Sequence, residues 1–328
     1  MQLAGSSRLL RVLNDAAAFG HLLDRGPLTR GELRELTGLA KPTTSDVLRR
    51  LRDAGLVTVV GRTSGGPGPN AEVYAVNPDA GWAVAVAARP SAITAALCDL
   101  SGTVRARRES TPAAEPARAI AETVQAVCRQ ARVPLRRLDH VRIGWSGPDL
   151  TEPLAGRLRA EVVVDNPANL AATAERATGT TGFALLWLGE DGPALSVALD
   201  GSAPRGSGDI GRLPVPDEHG DRREFRDLVS GPAAHALAIE ALAERIAVGL
   251  AAIVAVLDPP LVVLAGDVAA AGGAPLAGAV TAALHRLAAR HTRVTATGVS
   301  GDPVLLGAVD AALAAVRATV LDRIGGQR

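Results

Sequence analysis

The stretch from Lys41 to Arg52, KPTTSDVLRRLR, concentrates groups suited to nucleic acid: Lys41, Arg49, Arg50 and Arg52 face only Asp46, a net +3 in twelve residues. The first 80 residues carry ten basic and eight acidic side chains, only +2, so this one element holds most of the local positive charge. Lys41, Pro42, Thr43, Thr44 and Ser45 lead it with one cation and three hydroxyls, a donor set that meets phosphate oxygens and base edges. Arg49, Arg50 and, further on, Arg62 add guanidinium forks that grip phosphate or enter a minor groove. A solvated polar face is the competing reading of any basic helix, so the surrounding elements have to decide.

Those elements are legible from period and punctuation. Leu9, Leu10, Val12, Leu13, Phe19, Leu22 and Leu23 recur at helical spacing over 6–25. After Gly26-Pro27, the run Thr29-Arg30-Gly31-Glu32 is a capping box that opens a short helix over 29–37, stopped by Gly38. Pro42 suits the first turn of a third helix, about 41–54, whose Val47, Leu48 and Leu51 face inward before Gly55. LVTVVGR and EVYAVN read as two strands joined by the turn-rich SGGPGPNA. Three helices and a hairpin in about 80 residues predict a winged helix-turn-helix (α+β), with the helix from Lys41 in the major groove of double-stranded operator DNA and Arg62 opening the wing.

From 81 onward strand-length apolar runs alternate with helices, expected at 114–132, 168–177, 232–257, near 275–290 and at 304–322. This is the pattern of an α/β layered sheet domain. The net charge of +1 provides no whole-molecule field for nucleic acid, so binding has to be local. Cys98 and Cys128 lie in apolar segments without CxxC spacing and read as buried thiols rather than a disulfide or zinc cluster. The run Ile246–Leu257 is too short to span a bilayer and the first residues lack a signal-peptide pattern; a cytoplasmic protein without membrane contact is expected.

LLRVLND, GPLTRGELRELTGLAKPTTSDVLRRLRDAGLV, VVVDNPANLAATAE, VSGPA at 229–233, LDPPLVVLAGDV and GDPVLLGAVDAAL together resemble the repressor branch of the ROK family (repressors, open reading frames and sugar kinases) over nearly the whole chain. The resemblance implies a winged-helix domain over 1–80 and, over 81–328, an α/β actin-like, two-lobed sugar-kinase-like domain. Lobe 1 would cover about 81–195 plus the C-terminal helix, and lobe 2 about 196–305.

The chain departs from the family's catalytic motifs. Ala87 stands where the first phosphate loop has an aspartate, and Arg89-Pro90 where it has glycine. The NDAN motif, whose aspartate is the general base, reads Asn166-Pro167-Ala168-Asn169, and proline accepts no proton. The second phosphate loop reads Gly189-Glu190-Asp191-Gly192-Pro193, with two carboxylates that repel a triphosphate. GExGH becomes Gly208-Asp209-Ile210-Gly211-Arg212, and the cysteine-rich zinc motif becomes DEHGDRREFR, with Asp217, His219 and Glu224 at the cysteine positions and Arg226 at that of a sugar-contacting glutamate. Three readings of that loop stand: Arg212 pairs with Asp217 or Glu224, the three substitutes hold a metal, or the loop is a solvated charged segment.

The resemblance thus implies a transcriptional regulator, by default a repressor, with no catalytic residues, no cofactor and no metal. Its kinase-like domain would form a homodimer or homotetramer and sense a small-molecule effector, a sugar or sugar derivative. Asn166, Asn169, Glu175, Asp209 and Arg212 are the candidate effector contacts. The alternatives are an ATP-dependent sugar kinase with an appended winged helix and a purely structural interaction module.

Overall fold

The computed structural model describes residues 3–63, 71–199, 201–217, 219–230, 234, 236–287 and 292–326. The expected hairpin turn at 64–70 and the Gly231-Pro232-Ala233 part of the 229–233 motif lie outside them. The N-terminal part comprises α1 (Leu3–Arg25), β1 (Leu28–Thr29), α2 (Arg30–Thr37), α3 (Lys41–Asp53), β2 (Val57–Arg62) and β3 (Glu72–Val76), its strands ordered β1-β3-β2. The capping box is formed: Glu32 N donates to Thr29 Oγ1 at 3.3 Å and Thr29 N to Glu32 Oε2 at 2.7 Å, which makes Thr29 the cap and Arg30 the first helical residue. Gly38 closes α2 at φ 68°, a left-handed position that favours glycine. Thr44, Val47, Leu48 and Leu51 turn inward from α3 onto Phe19, Leu22, Leu33 and Tyr74. Each large apolar side chain so buried contributes roughly 2 kcal/mol.

Beyond Gly81 the chain builds two sheets of one design. In the first, β4 (Trp82–Ala88), β5 (Ile93–Asp99) and β6 (Val104–Ser110) form an antiparallel meander, and β7 (His140–Gly144) and β8 (Glu161–Asp165) add in parallel, giving the order β6-β5-β4-β7-β8. The second repeats this with β9 (Phe183–Gly189), β10 (Gly192–Ala198) and β11 (Arg205–Ser207) antiparallel, and β14 (Leu261–Ala265) and β15 (Arg293–Ala296) parallel to β9. The expected limit of lobe 1 near 195 is corrected by this pairing. Both β9 and β10 belong to the second sheet, so the division falls between Asp165 and Phe183. Apolar strand runs carry no label for the sheet they join, since pairing is non-local.

Helices α4 (Pro116–Gln130) and α5 (Thr151–Leu158) cover the first sheet, and α8 (Ile239–Leu257) and α9 (Asp267–Leu287) the second. A 3-10 turn (Gly208–Arg212), a small hairpin of β12 (Pro214–Pro216) with β13 (Arg222–Glu224) and the short α7 (Phe225–Val229) lie between β11 and α8. Asp267–Leu287 is two helical segments meeting at a kink at Gly273, whose backbone is non-helical at φ 54°, and the segment after the kink, with Pro275 in its first turn, is the helix expected near 275–290. Asp267–Leu287 and Pro303–Asp322 are long and apolar enough to cross a membrane, which the sequence reading overlooked. Both instead bury faces in the body, through Leu276, Val280 and Leu284 and through Val304, Ala308 and Val316.

Helices α6 (Pro167–Ala177) and α10 (Pro303–Gly326) lie between the sheets, joining Ala85, Ala87 and Ala96 of one to Phe183, Leu185 and Trp187 of the other. They touch closely: a Cβ on Gly307 would sit 1.8 Å from the Leu170 carbonyl oxygen. The far half of α10 serves the N-terminal domain. Leu313, Val316 and Val320 share one buried cluster with Phe19 and Leu22 of α1.

Candidate functional site

Two surfaces carry the chemistry. On the first, α3 sorts its residues by helical position. Lys41, Pro42 and Arg49 are exposed and Thr43 and Ser45 half-buried, whereas Thr44 is fully buried and donates to the Ala40 carbonyl at 3.2 Å. Arg50 also turns away from solvent: Nη2 and Nε lie 2.6 and 3.0 Å from the two oxygens of Asp15, a nearly buried carboxylate of α1. That bond holds the Arg50 guanidinium above its ordinary pKa. Thr44 and Arg50, expected at the DNA face, are therefore corrected to internal fastenings of the domain.

Other cations gather on the exposed side of the same domain. Arg30, Arg34, Lys41 and Arg62 line a groove of about 510 Å³ between α2, the start of α3 and the wing, with Glu72 as the acidic residue in its wall. Tyr74 donates to Glu72 at 2.6 Å and lowers its pKa. Arg30 reaches Ser45, whose hydroxyl accepts from Nη1 at 3.4 Å and donates to the Lys41 carbonyl at 3.0 Å. Sequence reasoning missed Arg30 and Arg34, although their spacing of four on α2 places them on one face.

The second surface is the cleft between the sheets. On its phosphate-loop side Ala87 is fully buried, and Arg89 Nη2 donates to Asp302 Oδ1 at 2.6 Å. The same Asp302 oxygen caps α10 by accepting from Val304 N and Leu305 N at 3.1 Å each. Glu190 accepts from Ser91 N at 3.0 Å and Ser91 Oγ at 2.6 Å, and Asp191 from Ser146 Oγ at 2.5 Å. The two carboxylates of the β9–β10 turn thus fasten one sheet to the other. Between them and Arg89 only about 10 Å³ stays open, roughly one water's worth of space.

Beyond that bridge lies a cavity of about 550 Å³. It is lined by Trp145, Asp149 and Thr151 from the first sheet's side, by Asp165, Asn166 and Pro167 at the start of α6, by Trp187 and Asp191 through Ala194 of β9 and β10, and by Asp209, Arg212 and Arg226. Asn166 caps α6 by accepting from Ala168 N at 2.8 Å, and Pro167 fills the next position. Asp165 is held by Arg142 Nη2 at 2.7 Å, Asn166 N at 2.8 Å and Asn169 Nδ2 at 3.0 Å.

Of the expected effector contacts, Asn166, Asp209 and Arg212 line this cavity. Asn169 is not in the lining; its amide joins Asp165 to Ser196 Oγ. Glu175 is corrected: it is buried two turns along α6, where Thr297 Oγ1 donates to it at 2.6 Å, Thr180 Oγ1 at 3.1 Å and Gly298 N at 3.2 Å. It anchors the segment after β15. The expected Arg212 pairing is also corrected. Arg223 faces Asp217 at 3.6 Å and Arg226 faces Glu224 at 3.0 Å, while Arg212 has no hydrogen bond or ion pair among the described residues. Asp217 closes its own turn by accepting from His219 N and Asp221 N, each at 2.9 Å, and the described residues contain no cluster of three metal-ligating side chains.

Residues 11–66 match the family model of the MarR family. Among solved structures, a ROK family transcriptional regulator described as a homologue of the E. coli MLC protein is 14% identical, with 97% of this chain and 100% of that one covered at a TM-score of 0.67. A ROK hexokinase from Thermus thermophilus is 22% identical over 72% of this chain and 99% of its own, TM-score 0.56. A ROK family glucokinase from Streptomyces griseus, in complex with glucose and AMPPNP, is 18% identical over 71% and 99%, TM-score 0.57. The search of curated proteins gives no significant match. The chain therefore has a MarR-type winged helix followed by the fold of the ROK sugar kinases, in the arrangement of a ROK regulator.

Proposed function

We propose that this chain is a DNA-binding transcriptional regulator of the ROK type, acting as a repressor, whose kinase-like body has no catalytic role and reports the presence of a small effector. The observation that carries this reading is the groove lined by Arg30, Arg34, Lys41 and Arg62 beside the exposed face of α3. Lys41, Thr43, Ser45 and Arg49 meet base edges and phosphates in the major groove, and the arginines of α2 and the wing hold the flanking backbone. Paired half-sites call for a homodimer, and the protein works in the cytoplasm.

Loss of kinase function is supported by three features together. Ala87 provides no acid, Pro167 no base, and the space for a triphosphate is bridged by Arg89–Asp302 and Ser91–Glu190. Asp165 is the carboxylate nearest in sequence to the lost base, but its oxygens already accept from Arg142, Asn166 N and Asn169. Helix α10 gives the cleft a route to the DNA-binding part, since its cap residue Asp302 touches the cleft and its far half shares a core with α1. An effector that favours one cleft arrangement then shifts the population of DNA-competent dimers.

The test is a gel-shift titration of the full chain on the DNA upstream of its own gene, beside an ADP-release assay with glucose and N-acetylmannosamine. Sequence-selective shifts without sugar-dependent ADP release are expected. Sugar-dependent turnover, or indifference to every duplex at low salt, overturns the reading.

A further inference from the structure

Among the described residues lining the groove beside α3, Arg30, Arg34, Lys41 and Arg62 are cations and Glu72 is the one carboxylate. Its place is built rather than incidental. Glu72 opens β3, where Arg62 of β2 is its partner across the ladder. Residues 72 and 74 share a face of the strand, and Tyr74 Oη donates to Glu72 Oε2 at 2.6 Å. The Tyr74 ring is buried with Phe19, Leu33 and Val47, so the core of the domain fixes the hydroxyl that holds Glu72. Arg52 Nη1 stands 3.9 Å from the same carboxylate oxygen. The tyrosine bond, with Arg52, Arg62 and Arg30 around it, keeps the Glu72 carboxyl below the usual range, so the group is charged at neutral pH.

That charge has no evident structural task. A glutamine would accept the same tyrosine bond, and a half-exposed ion pair such as Arg52 with Glu72 adds little to stability. We propose that Glu72 is an internal counter-ion of the DNA face, which shares the surrounding arginines with incoming phosphates and so restrains binding driven by charge alone. The inference rests on the DNA-binding reading above and adds a residue that limits sequence-independent affinity. Such affinity follows the number of phosphates neutralised, each contributing about 0.9 to the slope of log K against log salt. An arginine already facing a fixed carboxylate neutralises a phosphate less completely. Lys41, Thr43, Ser45 and Arg49, which meet base edges from α3, keep their contacts, so recognition depends more on sequence than on charge.

Fluorescence anisotropy of the full chain with a labelled pool of random-sequence duplexes, over about 50 to 200 mM salt, tests this without knowledge of the operator. Glu72→Gln is expected to bind the pool about three- to tenfold more tightly at the low-salt end, with a slope steeper by up to about one. Its melting temperature should match the parent's, because glutamine still accepts from Tyr74. Glu35→Gln is the control: Glu35 is exposed on α2 outside the groove lining, so the same change in net charge should alter affinity by less than about twofold. No gain from Glu72→Gln, or an equal gain from Glu35→Gln, overturns the inference while the DNA-binding reading stands. A parent chain that ignores the pool at low salt overturns both.

Discussion

Arg50 and Asp15 form a two-point ion pair between α3 and α1, the guanidinium's Nη2 and Nε lying 2.6 and 3.0 Å from the two carboxylate oxygens. Asp15 is 4% exposed and Arg50 28%, so water reaches one side of the pair only. Arg50→Ala leaves a nearly buried carboxylate without its cation. The expected loss is about 2 kcal/mol of stability, less than for a fully buried pair because Arg50 is partly hydrated. Chemical denaturation of the full chain measures it, and phosphate contacts are expected to be unchanged once the protein is folded.

Arg30 and Arg62 should behave in the opposite way. Both are exposed in the groove beside α3, so replacing either by alanine leaves stability within about 0.5 kcal/mol. Each is expected to remove one phosphate contact, lowering affinity for all duplexes alike and reducing the slope of log K against log salt by about one. Arg49→Ala is expected to weaken the preferred sequence more than others. Fluorescence anisotropy over a salt series separates the two patterns.

How far the sequence reveals these roles depends on the range of the interaction. The capping box at Thr29 and Glu32, the Gly38 stop and the inward face of α3 are local and could be read directly. Arg50 could not, because its partner lies 35 residues away on another helix and its own neighbours are equally basic. Glu175 misled for a similar reason: one face of α6 meets the cleft at Asn166, while the residue two turns on meets Thr297 from the other end of the chain. Glu190 and Asp191 were read as repelling phosphate, yet the serines they bind sit on the other sheet, and that pairing exists only after folding.

Acidification tests a different buried group. His140 in β7 is almost fully buried, and burial pushes its pKa below the ordinary 6.5; Glu161 Oε2 at 3.3 Å opposes the shift and Arg142 adds to it. With the folded pKa lowered, the unfolded chain binds the proton more readily. Stability is therefore undiminished above the ordinary value and falls as pH drops below about 6.5. Melting curves between about pH 5 and 7.5 should show this decline, and His140→Gln should flatten it.

The contact between α6 and α10 permits no side chain at Gly307, where a Cβ would lie 1.8 Å from the Leu170 carbonyl oxygen. Backbone cannot rotate aside as a flexible side chain does. Gly307→Ala should force the helices apart and cost about 3 kcal/mol, at the upper end for overpacking. Because the same helix carries Leu313, Val316 and Val320 into the winged-helix core, the thermal transition of the N-terminal domain should fall with it. Differential scanning calorimetry showing an unshifted transition would mean that α10 does not link the two parts.

On the non-catalytic reading proposed above, Pro167 stands where the ROK resemblance implies a general base, which invites an attempt to restore it. Pro167→Asp supplies a carboxylate to the cavity lining, and the first helical turn tolerates aspartate, so the variant should fold. It should still release no ADP above background with glucose or N-acetylmannosamine. A base acts only on a sugar held in line with a γ-phosphate, and the phosphate side of this cleft is closed by Arg89 on Asp302 and by Ser91 on Glu190, with Ala87 in place of the acid. Adding Ser91→Ala and Glu190→Gly to the same chain should loosen the bridge without supplying the missing acid, so turnover stays absent. Sugar-dependent turnover from Pro167→Asp alone would show that the cleft admits a nucleotide despite these bonds, and the non-catalytic reading would fall with that result.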